Sequence, residues 1–181
     1  EDTAVYVPLK KSERKTFFKD SDAETHWVDS IYNKMTVREK IGQLFMISAY
    51  SNKDSVHVNK IKALIKDYNI GGVIFFQGGP GRQAKLTNQY QAIAKVPLFV
   101  AIDAEWGLSM RLDSTYVFPW NMTLGAIQDL DLIEKLGKNM GAESKRMGIH
   151  FNFAPVLDIN TNPKNPIIGN RSSGENKRNV S

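Results

Sequence analysis

The sequence predicts an α/β fold, a parallel sheet covered by helices, and three observations carry that prediction. Apolar runs of strand length alternate with segments of helical periodicity from about residue 43 onward. The best of these runs, "IGGVIFFQ" (70–77), is apolar at consecutive positions rather than at every second one, as expected of a strand covered on both faces. Polar residues then cluster where the runs end: Gln77, then Asp103 and Glu105, then Asp158, Asn160 and Asn162. In parallel α/β architectures the carboxyl ends of the strands open into the ligand crevice.

The elements follow in order. Residues 1–22 hold no period for long and read as an extended arm, with Val5, Tyr6 and Val7 available to pack on the body. Trp27, Ile31 and Met35 recur every four residues and predict a surface helix. "TVRE" (36–39) has the form of a capping box and opens a second helix. "QLFMISAY" (43–50) predicts a strand, and Val58, Ile61, Leu64 and Ile65 mark a helix over 55–68. After "IGGVIFFQ" the cluster Gly78, Gly79, Pro80, Gly81 breaks the strand, 82–95 reads as helix, and 98–103 as a third strand. A long helix over 129–147 and a fourth strand, "HFNFAPVLDI" (150–159), complete the pattern. Both an open doubly wound sheet and a closed (β/α) barrel fit; a whole barrel takes about 250 residues, so a barrel would be present here as about its first half, roughly four βα units. The domain division expected is 1–35, arm and surface helix, and 36–181, half-barrel.

Composition excludes several functions. The 181 residues are 41% hydrophobic and 24% charged, and none of the 181 is cysteine, so disulfides, a thiol nucleophile and a cysteine-ligated zinc are ruled out. No run approaches the roughly 18 apolar residues of a membrane span. The net charge of +5 gathers partly in the leader, at Lys10, Lys11, Arg14, Lys15 and Lys19, and no stacking or groove-binding motif accompanies it, which argues against a nucleic-acid partner. A start at Glu1 rather than Met, with a polar leader, carries the expectation of export to the periplasm, cell surface or medium.

Asp103 and Glu105 invite a glycosidic acid and nucleophile, which in retaining enzymes stand about 5 to 5.5 Å apart. Strand residues two apart have Cα atoms roughly 6.6 Å apart, and Gly107 signals that the strand has broken, so the alternative is that Asp103 binds hydroxyls while internal partners fix Glu105. Surface ion pairing of both is the bland reading. Arg111 either stays in solvent or turns inward toward Asp103. Trp106 and Trp120 suit sugar stacking, although buried packing is the commoner fate of Trp. His150 opens a strand and reads as structural. His26 and His57 lie on helices without partners at metal-ligand spacing, and no metal or cofactor is expected. "GGPGRQ" (78–83) reads as a plain strand-to-helix turn, lacking the Lys of a P-loop. Sequons at Asn121, Asn170 and Asn179 carry meaning only in a eukaryotic secretory pathway.

Taken together, "NIGGVIFF" (69–76), "PLFVAIDAEWGLSMRL" (97–112) and "GIHFNFAPVLDINTNPKNPIIGNRSSGE" (148–175) resemble glycoside hydrolase family 3, in its β-N-acetylglucosaminidase branch. The resemblance implies a (β/α) barrel and a retaining, bacterial β-N-acetylhexosaminidase. It assigns Asp103, Arg111 and Arg171 to the subsite of the terminal sugar. Ala104, Trp106 and Leu108 stand where Gln, Gly and Val are usual, and Ser173 and Asn176 where Phe and Asp are common. The family's acid/base loop and nucleophile strand fall after the last matching motif, so no catalytic residue is expected within these 181 residues. The chain is therefore expected to be inactive alone and to be part of a larger protein, with the remainder of its own chain as a partner and an N-acetylglucosamine glycan as ligand. A β-glucosidase of the same family and a catalytically idle sugar-binding protein are the alternatives.

Overall fold

A computed structural model describes residues 22–180. The chain divides into two units, one ending at Thr36 and one running Val37–Ser181. In the first, α1 (Asp22–Tyr32) is the expected surface helix, with Trp27, Val28 and Tyr32 exposed. It ends three residues before Met35, whose N–H closes a turn on the Tyr32 carbonyl. The arm, with Val5, Tyr6 and Val7, lies outside the described residues.

The second unit carries the alternation that the hydrophobic pattern predicts. Its elements are α2 (Val37–Gly42), β1 (Met46–Tyr50), α3 (Ser55–Tyr68), β2 (Gly72–Gln77), α4 (Pro80–Ile93), β3 (Phe99–Ile102), α5 (Asn121–Gly125), α6 (Leu130–Arg146), β4 (Phe151–Asn152) and α7 (Lys177–Val180). Two single 3₁₀ turns, Leu108–Met110 and Gly169–Arg171, lie in the loops. The strands pair in the order β1-β2-β3-β4, every pair parallel, with Met46 opposite Gly72 and Gly72 opposite Phe99. A doubly wound sheet reverses its strand order at a switch point. Here each strand is added on the same side, which is the winding of a barrel arc. The architecture is thus a partial (β/α) barrel.

Local chemistry explains where the helices begin and end. Asp54 caps α3 by accepting the His57 N–H at 3.1 Å, and Asn69 ends it in the left-handed region at φ 51°. Pro80 takes the first position of α4, where no N–H is needed, so this helix starts two residues earlier than the sequence suggested. Of "GGPGRQ", Gly78 and Gly79 make the strand-to-helix turn, tied down by a Gly79 N–H to Ser51 Oγ bond of 3.1 Å, and the rest already belongs to α4. Asp129 caps α6 through the Asp131 N–H.

The core lies between the sheet and α3 and α4. Val73 and Phe75 of β2, Val100 and Ile102 of β3, Ile61 and Ile65 of α3 and Tyr90 of α4 are all essentially inaccessible. Each such side chain stabilises the fold by roughly 1.5–3 kcal/mol relative to exposure. The inward face of α4 reads Gln83, Thr87, Tyr90, a polar stripe that apolar periodicity could not have flagged. Gly71 is demanded by contact: a Cβ there would stand 2.0 Å from the Gln43 carbonyl oxygen.

Two strands are shorter than expected. β1 starts at Met46, because the backbone N–H groups of Gln43, Leu44 and Phe45 still close helical turns on the carbonyls of Glu39, Ile41 and Gly42. β4 keeps only Phe151 and Asn152 of the expected 150–159. Its partner β3 stops at Ile102, one further ladder bond runs from Phe153 N–H to Ile102 O at 2.9 Å, and Pro155 has no N–H to continue.

Candidate functional site

The site grows from the abrupt end of β3. Ile102 is the last strand residue, and the next peptide unit is clamped by a neighbour: Asn152 of β4 accepts the Ala104 N–H at 3.0 Å and donates to the Ala104 carbonyl at 3.2 Å. With Ala104 buried and fastened on both sides, Asp103 and Glu105 are fixed to either side of it. The chain then reverses. Gly107 N–H bonds Ala104 O at 3.1 Å, and Gly107 sits at φ 96° with the Phe118 ring so close that a Cβ would lie 2.6 Å from it.

The reversal and the 3₁₀ turn at Leu108–Met110 return Arg111 to the strand end it left. Its Nε donates to the Asp103 carbonyl at 2.7 Å and its Nη2 to Asp103 Oδ2 at 2.5 Å. The guanidinium also lies 4.9 Å over the Phe76 ring of β2. Backbone bonds between Gly78 and both Arg111 and Asp113 stitch this loop to the end of β2. Asp103 accepts this arginine on one carboxylate oxygen, and its side chain remains 25% exposed.

Glu105 takes the other arginine. Arg171 spans it with two bonds, Nε to Oε2 at 2.8 Å and Nη2 to Oε1 at 2.5 Å, the fork geometry in which guanidinium and carboxylate fit best. The Glu105 side chain is 4% exposed and that of Arg171 36%. The hydrogen bond to Glu105 holds the Arg171 guanidinium above its usual pKa; partial burial opposes this, and the charges of Glu105, Asp103 and Asp158 reinforce it. Arg171 is placed by its own surroundings. The Asn121 amide donates to the Arg171 carbonyl at 2.8 Å, and the buried Ser172 hydroxyl donates to the Asp158 carbonyl at 2.6 Å.

The three residues singled out from sequence, Asp103, Arg111 and Arg171, therefore meet at the carboxyl end of β3, with Glu105 as the fourth member. The two carboxylates do not share one strand face, since β3 has already ended, and each is engaged by its own arginine. Glu105, with both oxygens occupied and almost no exposure, is the internally fixed partner. The positioning residues Asn121, Asn152 and Ser172 were not found as such from sequence. Asn121 stood out only as a sequon, and its buried amide is committed to Arg171.

Other candidates go elsewhere. Gln77 is exposed at the end of β2, and Asn162 turns back to accept the Lys164 N–H. His150 is structural: its Nδ1 accepts the Val100 N–H at 3.0 Å, extending the β3 edge. His57 accepts the Tyr50 N–H at 3.2 Å, and burial followed by the charge of Lys53 lowers its pKa, consistent with a neutral ring. Among the described residues no group of three or more His, Cys, Asp or Glu could hold a metal ion. No helix among them is long and apolar enough to cross a membrane. Trp120 departs from the expected burial at 48% exposed, Trp106 is half-buried, and the two rings lie 4.3 Å apart at 39°.

Known proteins share this arrangement of chain. A "Beta-hexosaminidase A" of Pseudoalteromonas piscicida is 38% identical over 130 residues, covering 65% of this chain and 22% of the relative. A "Beta-N-acetylglucosaminidase/beta-glucosidase" of Cellulomonas fimi is 29% identical over 148 residues, covering 82% and 26%. The chain thus spans about a quarter of the length of these two relatives. Among solved structures, a "Beta-glucoside phosphorylase BglX bound to 2FGlc" superposes with TM-score 0.81 at 24% identity, over 89% of this chain and 29% of that one, which bears on the fold alone. The description "Glycosyl hydrolase family 3 N terminal domain" fits residues 36–181, and the chain belongs to that family.

Proposed function

We propose that the protein carrying this chain hydrolyses terminal β-N-acetylhexosaminide bonds with retention of configuration, and that Asp103, Arg111 and Arg171 form part of the subsite for the terminal sugar. The observation that carries the reading is Asp103 itself. Arg111 clamps it through both its carbonyl and one carboxylate oxygen, while the carboxylate remains partly open at the carboxyl end of the sheet. An anion fixed in this way presents an acceptor of set direction, suited to sugar hydroxyls. Relatives named for hexosaminidase activity support the choice of substrate class.

The same geometry assigns neither carboxylate to bond cleavage. Glu105 is enclosed by the Arg171 fork, and Asp103 spends its exposed edge on binding. On this reading the nucleophile and the acid/base lie outside residues 1–181, and Arg171, by fixing Glu105, is a positioning residue as much as a ligand. The 181-residue chain alone is then inactive, since both protonation and attack lack their groups.

The test is hydrolysis of an aryl β-N-acetylglucosaminide by the full-length protein, with the first-formed anomer read by proton NMR. The β-anomer appearing first is the expected result. The α-anomer first, or turnover by the 181-residue chain alone, contradicts the assignment. A family 3 β-glucosidase is the second reading, favoured by the double name of the Cellulomonas fimi relative; comparing the aryl glucoside with the N-acetylglucosaminide decides between them.

A further inference from the structure

The carboxyl end of β2 holds one residue more than its neighbours account for. Ala49 of β1 stands opposite Phe75, and Tyr50 opposite Gln77, so Phe76 has no partner in β1. It has none in β3 either, because that strand ends at Ile102, opposite Phe75. An extra residue in one strand bends the chain locally and re-aims its side chain. Here the half-buried Phe76 ring is aimed at the site, 4.9 Å from the Arg111 guanidinium that lies over it. Two residues further on, Gly78 donates its N–H to the Arg111 carbonyl at 3.3 Å, so the strand end that carries the ring also holds the arginine's backbone. The extra residue is braced from β1. The Tyr50 ring stacks on Phe76 with centroids 6.0 Å apart and planes 27° apart. Tyr50 is tied in turn to α3, its N–H donating to His57 Nε2 at 3.2 Å and its ring meeting the His57 ring edge-on at 5.5 Å. Lys53 Nζ lies 3.7 Å from the same ring.

Arg111 needs such a support. It bonds Asp103 along one edge of the guanidinium, Nε on the carbonyl and Nη2 on the carboxylate. Bonds along an edge leave the plane free to tilt about that edge, and a surface stacked on the plane removes the tilt. An aromatic face does this better than an aliphatic one, because its negative face attracts the cation. The competing state is close, since the Arg111 side chain is 21% exposed and water solvates a guanidinium that swings away. We infer that Phe76, set by the extra residue in β2 and backed by Tyr50, is a positioning residue for the terminal-sugar subsite. Its ring holds Arg111 in the plane from which both Asp103 bonds are made. The aromatic stack, and not the ion pair alone, then fixes the direction in which Asp103 offers its carboxylate. This inference rests on the reading of Asp103 and Arg111 as sugar-binding groups.

The test has a readout without sugar and a readout with it, both on the full-length protein. Crystal structures of two variants give the first. Phe76→Leu keeps apolar bulk and removes the ring face, and is expected to leave Arg111 turned away from Asp103. Phe76→Tyr keeps the face and is expected to keep the wild-type arrangement. The second readout is kcat/KM on an aryl β-N-acetylglucosaminide. Phe76→Leu is expected to lower it about ten-fold, the scale of one cation–π contact out of water, and Phe76→Tyr to stay within about two-fold of wild type. Tyr50→Leu, which removes the backing ring, is expected to lower it about three-fold, and carries both readouts should the Phe76→Leu variant fold poorly. In an Arg111→Met background, with no guanidinium to hold, Phe76→Leu is expected to cost less than about two-fold further. Arg111 unmoved in the Phe76→Leu variant, or an undiminished cost of that change once Arg111 is gone, overturns the inference. Arg111 displaced with kcat/KM unchanged overturns instead the reading of Asp103 and Arg111 as sugar ligands. A wild-type protein inactive on the aryl glycoside overturns the hydrolase reading, and the crystal structures still decide whether Phe76 holds Arg111.

Discussion

Two arginine–carboxylate pairs at the carboxyl end of the sheet have the same chemistry and different surroundings. Arg82 and Asp113, over the start of α4, are each 55% exposed. Glu105 and Arg171, beyond β3, are 4% and 36% exposed and joined by two bonds rather than one. The Asp103–Arg111 pair lies between these extremes at 25% and 21%. Asp113 is tied to Gly78 through its own N–H, whereas at the β3 pairs side chains brace the backbone as well, through Asn152 on Ala104, Asn121 on the Arg171 carbonyl and Arg111 on the Asp103 carbonyl. The difference teaches that burial and side-chain bracing separate the β3 pairs from a solvated ion pair.

The contrast predicts a ranking of effects. Removing one partner of the least exposed pair has the largest: Glu105→Ala is expected to destabilise the protein by about 2–3 kcal/mol, since it deletes two charge-assisted bonds. Thermal or urea unfolding reads this, and a loss below about 0.5 kcal/mol, the range of ordinary surface changes, would place Glu105 with the solvated pairs. Next is Asp103→Asn, which keeps shape and removes charge. Losing a charge-assisted bond to substrate is expected to cost about 10- to 100-fold in kcat/KM for the full-length protein, with a smaller effect on stability.

Tyr90 supplies the case of burial without a partner. Its hydroxyl is inaccessible and finds no hydrogen bond among the described residues, and burial pushes its pKa from 10.0 up to about 12. The unfolded chain loses this proton near pH 10, the folded one only near 12. Its contribution is therefore complete below pH 10 and falls away as pH rises toward 12, by on the order of 2 kcal/mol. Tyr90→Phe is expected to flatten stability between pH 10 and 12 and to leave stability at neutral pH unchanged or slightly raised, because the orphaned hydroxyl is gone. The smallest effect belongs to Arg82→Ala, expected to shift stability by about 0.5 kcal/mol or less.

The sequence disclosed whatever rests on local pattern. Val58, Ile61, Leu64 and Ile65 announce α3, the apolar run announces β2, and the switch from Ile102 to Asp103 marks the end of β3 within a residue. Pairing between distant segments left weaker traces. Nothing local in "HFNFAPVLDI" says that β3 will abandon its neighbour after Ile102, so β4 was read too long. The choice between an open sheet and a barrel depends on strand order, which no single strand encodes. In the site, resemblance selected Asp103, Arg111 and Arg171. That Arg171 would fork onto Glu105, or that Asn121 and Asn152 would fasten the two loops, depends on residues about 50 to 66 positions apart. The Trp120 indole misled for a related reason: the usual burial of Trp is a property of cores, and Trp120 stands half-exposed at the start of α5.

The central claim is that the charged groups beyond β3 grip one sugar ring. A crystal structure of the full-length protein with N-acetylglucosamine tests it most directly. The account predicts the ring at the carboxyl end of β3, with its hydroxyls within hydrogen-bonding distance of the Asp103 carboxylate and the Glu105–Arg171 pair unbroken. A ring seated elsewhere, or one seated at β3 with Asp103 turned away from it, would contradict the account.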